Sequence, residues 1–206
     1  MNLPESLHAR MYLLAYDTEK NRLSSRSQLG LVLRAAALTE LYLADRVADD
    51  GGKARVTDTK PTGDPLMDDL VQQIADHRPR SWYRWIGRQE RAAVRTVRDQ
   101  LEAAHCLKVE RRSIMPDRIE LRDRRAVKQY ADEVRAALGK PAARTEPRVA
   151  AVLALAARGE VKTVVSRRER REHKQRLSEL AVHTGPVADA LRKALQAKMA
   201  ATAAST

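Results

Sequence analysis

The chain has 206 residues, enough for one compact domain with a sizeable core or at most two small ones. Its 39 Lys and Arg against 27 Asp and Glu give a net charge of +12, which calls for a polyanionic partner, either nucleic acid or an anionic membrane surface. Aromatic residues make up 3% and Phe is absent, so the core must be built from Leu, Ala and Val, which favours close-packed helices over a sheet sandwich.

In chain order, MNLPESLHARMYLLAYD lacks the basic-then-apolar order of a signal peptide, and a short helix is predicted from Leu7 to Tyr16. A polar connector ending near Ser27 can cap the next helix, Gln28 to Ala44. This run, QLGLVLRAAALTELYLA, is apolar on nearly all sides but is interrupted by Arg34 and Glu40 and falls short of the roughly 20 residues a membrane span needs. Asp45 to Asp58 reads as a hairpin turning at Asp49-Asp50-Gly51-Gly52. Pro61 to Pro65 starts a helix from about Leu66 to Asp76, and Trp82, Trp85 and Ile86 form an apolar cluster that fits a core. A basic amphipathic helix follows from Arg88 to Ala104, then a second hairpin from Leu107 to Leu121 with Ile114-Met115-Pro116-Asp117 at its tip. Helices are predicted at Asp123 to Leu138 and Thr145 to Ala157. Ser166 and Glu169, at capping-box spacing, start another to about Ala181, and a last helix begins near Pro186 before a frayed tail over 196–206.

The predicted fold is mainly α: a compact single-domain helical bundle over 1–206 with two short β-hairpins. The single Cys106 excludes an internal disulfide and fits a reducing compartment. His8, His77, His105, His173 and His183 have no metal-ligand spacing and read as surface or packing residues. No nucleophile motif or phosphate-cradling glycine loop appears, so neither a catalytic residue, a metal nor a cofactor is expected.

Two features point to anion binding. Arg34 lies within about 40° of Leu38 and Leu41 on its helix, while Glu40 projects elsewhere, so its charge needs an anion from another part of the fold or from a ligand. In the basic helix, Arg91, Arg95 and Arg98 fall within about 60° of one another beside a stripe of Val94, Val97 and Leu101. One face can pack and the other is cationic. Pairing of these arginines with Glu90, Asp99 or Glu102 is the plain alternative, and Arg167 to Arg176 reads as a solvated charge run.

Arg34 in LVLRAAALTEL, the phrase PTGDPLMDDL, Trp85-Ile86, and VRTVRDQL from Val94 to Leu101 occur in an order that resembles the Golgi phosphoprotein 3 family of peripheral phosphatidylinositol-4-phosphate-binding adaptors. The resemblance spans about 8–195 and is weaker after Gly139. It implies a lipid-headgroup site containing Arg34, Arg95 and Arg98. It also implies a second hairpin used for membrane contact or self-association, which marks Ile114 and Met115. The family places a tryptophan nine residues before the helix arginine, where this chain has Ser25. Heavy use of Ala and Arg suits a GC-rich bacterial genome, in which Golgi cargo does not transfer.

The expected function is therefore that of a cytoplasmic, peripherally membrane-associated protein that binds anionic phosphoinositide-type headgroups without turnover. A homo-oligomer and a membrane-protein client are the further partners the resemblance suggests. The alternative is a winged-helix-like nucleic-acid binder that uses helix 88–104 and hairpin 107–121. That reading explains the charge but not Arg34, and the basic face lacks the Asn, Gln or Ser suited to base edges.

Overall fold

The computed structural model describes residues 3–112, 117–141 and 144–204. The first half comprises α1 (Leu7–Leu14), β1 (Tyr16–Asp17), β2 (Arg22–Leu23), α2 (Arg26–Leu43), β3 (Val47–Asp50), β4 (Lys53–Val56), α3 (Pro65–Ala75), β5 (Arg80–Ser81), α4 (Trp82–Gly87) and α5 (Glu90–Ala103). The second comprises β6 (Leu107–Glu110), β7 (Arg118–Leu121), α6 (Arg124–Ala136), α7 (Pro147–Arg158), α8 (Arg167–Glu172), α9 (Lys174–Leu180), a 3-10 turn at Ala181–Thr184 and α10 (Val187–Ala203). Ten α-helices and three small antiparallel sheets thus form the described residues, a mainly α fold as the composition predicts.

The axis of the bundle is α2, in which every residue from Leu29 to Thr39 is buried, Arg34 included. A helix apolar on all sides must be surrounded, and α1, α3, α4, α5, α7 and α10 all pack on it. One close approach is to α5. A Cβ at Gly30 would stand 2.3 Å from the Glu90 carbonyl oxygen, so only glycine lets the start of α5 lie against the second turn of α2. The seam is anchored by Ala93, Val97 and Leu101 of α5, each buried, and a fully buried Val or Leu stabilises by about 1.5–3 kcal/mol.

The first hairpin pairs Val47 with Val56 through to Asp50 with Lys53. Gly51 and Gly52 at φ of 55° and 83° occupy the left-handed positions that the turn demands. Two pairings go beyond the expected hairpins: β5 adds a third strand through Ala54↔Arg80, and β1 pairs with β2 inside the polar connector. Segments of two residues carry no readable period. The second hairpin runs from Leu107↔Leu121 to Glu110↔Arg118, and its tip residues Ile114 and Met115 lie outside the described residues.

Helix ends show where the sequence signals compete. Ser25, not Ser27, holds the N-cap position of α2, at φ 52° and ψ 34°, and its hydroxyl donates to the Glu160 carbonyl at 3.0 Å instead of capping the helix. The capping box of Ser166 and Glu169 forms, but the helix expected to reach Ala181 breaks at His173. The break lets Leu177 and Leu180 of α9 turn inward, whereas α8 buries no residue. The charge run is also not uniformly solvated: Arg176 donates to the Thr145 hydroxyl at 3.1 Å and to the Ala137 carbonyl at 3.4 Å.

Candidate anion-binding surface

Arg34 has no exposed surface. Its Nε donates to the Trp85 carbonyl at 2.8 Å and its Nη2 to Gln73 Oε1 at 3.1 Å. The amide of Gln73 in turn donates to Asp69 Oδ2 at 2.6 Å and to Gln89 Oε1 at 3.2 Å. The anion that Arg34 requires is thus supplied one hydrogen bond away, by a relay and not by direct contact with a carboxylate. Burial pulls the Arg34 pKa down to about 10, with the Asp69 carboxylate opposing and the Arg88 guanidinium adding to the fall, so the group remains a cation at neutral pH. Trp82, Trp85 and Ile86 are buried core, and the guanidinia of Arg80 and Arg88 each lie 5.9 Å from the Trp85 ring centroid.

Helix α5 forms because its apolar positions recur at three and four residues, and this spacing turns the arginines outward. Arg91 and Arg95 are exposed, and no ion pair holds either among the described residues. Arg98 differs. It is 19% exposed and donates from Nη1 to Asp117 Oδ2 at 2.8 Å and from Nε to Asp99 Oδ1 at 3.1 Å. Beside it, burial pushes the Tyr12 hydroxyl well above its ordinary pKa against the opposing pull of Arg98, and that hydroxyl has no hydrogen-bond partner among the described residues.

Arg34, Arg95 and Arg98 therefore occupy three environments. Arg34 faces α3 and α4 from inside, Arg95 faces solvent, and Arg98 is tied to Asp117 at the tip end of the second hairpin. Arg95 stands six residues beyond Gln89, a rise of about 9 Å along α5 from the relay beneath.

The phrase PTGDPLMDDL is a structural knot. Asp64 Oδ1 caps α3 by accepting the Leu66 and Met67 amides at 3.0 Å each, while its Oδ2 meets His8 Nε2 at 3.0 Å and Gln100 Nε2 at 2.9 Å. Thr62 donates to Asp68 Oδ1 from its amide at 2.6 Å and its hydroxyl at 2.7 Å. His8 is fully buried, with Nδ1 3.8 Å from Glu40 Oε2, and is neither a surface residue nor a mere packing residue. Periodicity and spacing gave no sign of this network or of Gln73, because their partners lie between 33 and 56 residues apart.

The result is a mainly α-helical domain with an arginine face mounted on a helix of its own core, and no helix among the described residues is long and apolar enough to cross a membrane. The chain belongs to the Golgi phosphoprotein 3 (GPP34) family, whose model matches residues 7–198. No curated protein matches the chain in sequence.

Proposed function

We propose that this protein is a peripheral membrane protein that binds anionic phosphoinositide-type lipid headgroups, with phosphatidylinositol 4-phosphate the first candidate. The observation that carries the reading is the pair Arg91 and Arg95: two exposed arginines one helical turn apart, without an ion pair among the described residues, on a helix whose opposite face is locked into the core. A phosphomonoester carries nearly two charges and several strong acceptors, and converging guanidinia bind it by charge-assisted hydrogen bonds. Arg95 meets the headgroup directly, and Arg98 joins it by exchanging Asp117 for phosphate. Arg34 acts from beneath, holding the Trp85 carbonyl and, through Gln73, the residue that precedes α5. The reading involves binding without turnover, at the cytoplasmic face of a membrane, where each basic residue near an anionic leaflet contributes about 1 kcal/mol.

Flotation with phosphatidylcholine vesicles, with and without phosphatidylinositol 4-phosphate, tests this against duplex DNA at matched salt. Flotation that depends on the phosphoinositide supports the proposal. Duplex binding that falls with salt at a log-log slope of about −0.9 per phosphate, without flotation, overturns it in favour of a nucleic-acid binder.

A further inference from the structure

A cavity of about 780 Å³ opens between the β1–β2 hairpin, the start of α2, the outer face of α6 and the segment after α7. Its size is that of a small-molecule site, for which about 300–1,000 Å³ is usual. None of Arg34, Arg95 and Arg98 lines it.

The charges of its walls are unevenly committed. Asp132 is paired with Arg135 at 3.2 Å, and Asp17 accepts the Glu19 and Lys20 amides at 3.1 and 2.9 Å with the Lys20 ammonium 3.9 Å away. Once these are set aside, Arg22, Arg26, Lys128 and Lys162 remain, all exposed and without an ion pair among the described residues, against the single uncommitted carboxylate of Glu19. Four cations brought to one hollow from β2, α2, α6 and the segment beyond α7 repel one another. Folding tolerates that repulsion most readily where an anion joins them. The floor is apolar, with Leu14, Tyr16, Leu23 and Val127 beneath the charged rim. Ser25 sits at the lip with its hydroxyl turned away to Glu160, which leaves the first turn of α2 without a side-chain cap.

We propose that this cavity binds a phosphate ester: a phosphoryl group held by Arg22, Arg26, Lys128 and Lys162, with its carbon skeleton on the apolar floor. Bare inorganic phosphate uses only half of such a site. The same chemistry can arrive as a soluble polyol phosphate or as a lipid headgroup, and the two sources are separable.

The test compares the wild type with Lys128→Glu/Lys162→Glu and with Arg91→Glu/Arg95→Glu, which changes charge equally on α5. Each is titrated calorimetrically with inositol 1,4,5-trisphosphate and with inorganic phosphate, and each is floated with phosphatidylinositol-4-phosphate vesicles. The proposal expects the soluble ester to bind more tightly than inorganic phosphate, and the cavity variant to lose at least about tenfold in affinity while the α5 variant keeps it. Flotation lost in the cavity variant, with weak binding of the soluble ester, identifies a lipid-borne phosphate as the ligand of the same cavity. Equal losses in both variants show general charge attraction and overturn the proposal, as does unchanged binding in the cavity variant. Loss of flotation confined to the α5 variant concerns only the headgroup surface. Lys128→Gln/Lys162→Gln, checked by circular dichroism, keeps the result readable if the charge reversals misfold.

Discussion

Arg34 and Asp69 are joined without touching: Gln73 takes one hydrogen bond from the guanidinium at 3.1 Å and gives one to the carboxylate at 2.6 Å. An amide can do this because it donates and accepts at opposite ends. The relay lets a fully buried cation keep its charge while the anion stays on the preceding turn of α3.

The relay makes a thermodynamic prediction. Gln73→Leu leaves the buried guanidinium without its link to Asp69 and is expected to cost about 3 kcal/mol or more. Arg34→Met removes the charge itself and leaves only neutral groups short of a donor, a loss of about 1–3 kcal/mol. The double variant should then be less damaged than the sum of the two, since the second change removes the charge that the first had stranded. Urea denaturation of the four proteins measures this, and strictly additive losses would mean that Gln73 does not serve Arg34.

The arginine face predicts a binding defect without a folding defect. Arg91→Ala/Arg95→Ala should weaken flotation with phosphoinositide vesicles by roughly ten- to thirtyfold, at about 1 kcal/mol per residue. Its melting temperature should stay within a degree or so of the wild type, because neither side chain packs and exposed charges contribute little to stability. Undiminished flotation in this variant would remove α5 from the membrane-facing surface.

Arg98 carries the opposite expectation. Its carboxylate partner Asp117 is 31% exposed at the tip end of the second hairpin, so Asp117→Asn should cost less than about 1 kcal/mol of stability. It should also release Arg98 toward phosphate and strengthen flotation several-fold, an effect that vanishes when Arg98→Ala is added. Weaker flotation in Asp117→Asn would show that the ion pair positions the arginine for the headgroup and does not compete with it.

Much of this arrangement is legible in the sequence, and the boundary is physical. Helical period and caps located α3, α6, α7 and α10 because those signals are local: Asp64 and Asp123 cap where their sequence places them, and Gly51-Gly52 turns where positive φ is required. Arg34 could be recognised as a charge out of place, since nothing within its own turns answers it. What answers it could not be named, because Gln73 and the Trp85 carbonyl lie 39 and 51 residues away and a glutamine or a backbone carbonyl carries no distinctive pattern. The pairing of Arg98 was hidden in the same way, since Asp117 comes from across a hairpin. The α8–α9 break was missed because a capping box announces a start and says nothing of an end.

The last prediction concerns the knot at Asp64, whose side chain is 15% exposed. Burial alone would push its pKa up, but hydrogen bonds from His8, the Met67 amide and Gln100, with the charge of His8, bring it below the usual carboxylate range. A carboxylate whose folded pKa is depressed contributes stability that is complete above its unfolded value, near about 4, and is lost as pH falls through the lower folded value. Asp64→Asn can still cap α3, because asparagine is as good a cap as aspartate, but it offers His8 a neutral acceptor in place of a carboxylate. The variant should be less stable than the wild type at pH 7 by about 1–3 kcal/mol, and the gap should narrow below about pH 4 as Asp64 takes up its proton in the wild type. His8→Ala should weaken the same acid dependence from the other side, leaving Asp64 and the 13%-exposed Glu40 without the imidazole between them. Denaturant midpoints measured from pH 7 to pH 3 decide the matter: a gap between wild type and Asp64→Asn that stays constant across that range would mean that the ionisation of Asp64 is not coupled to folding.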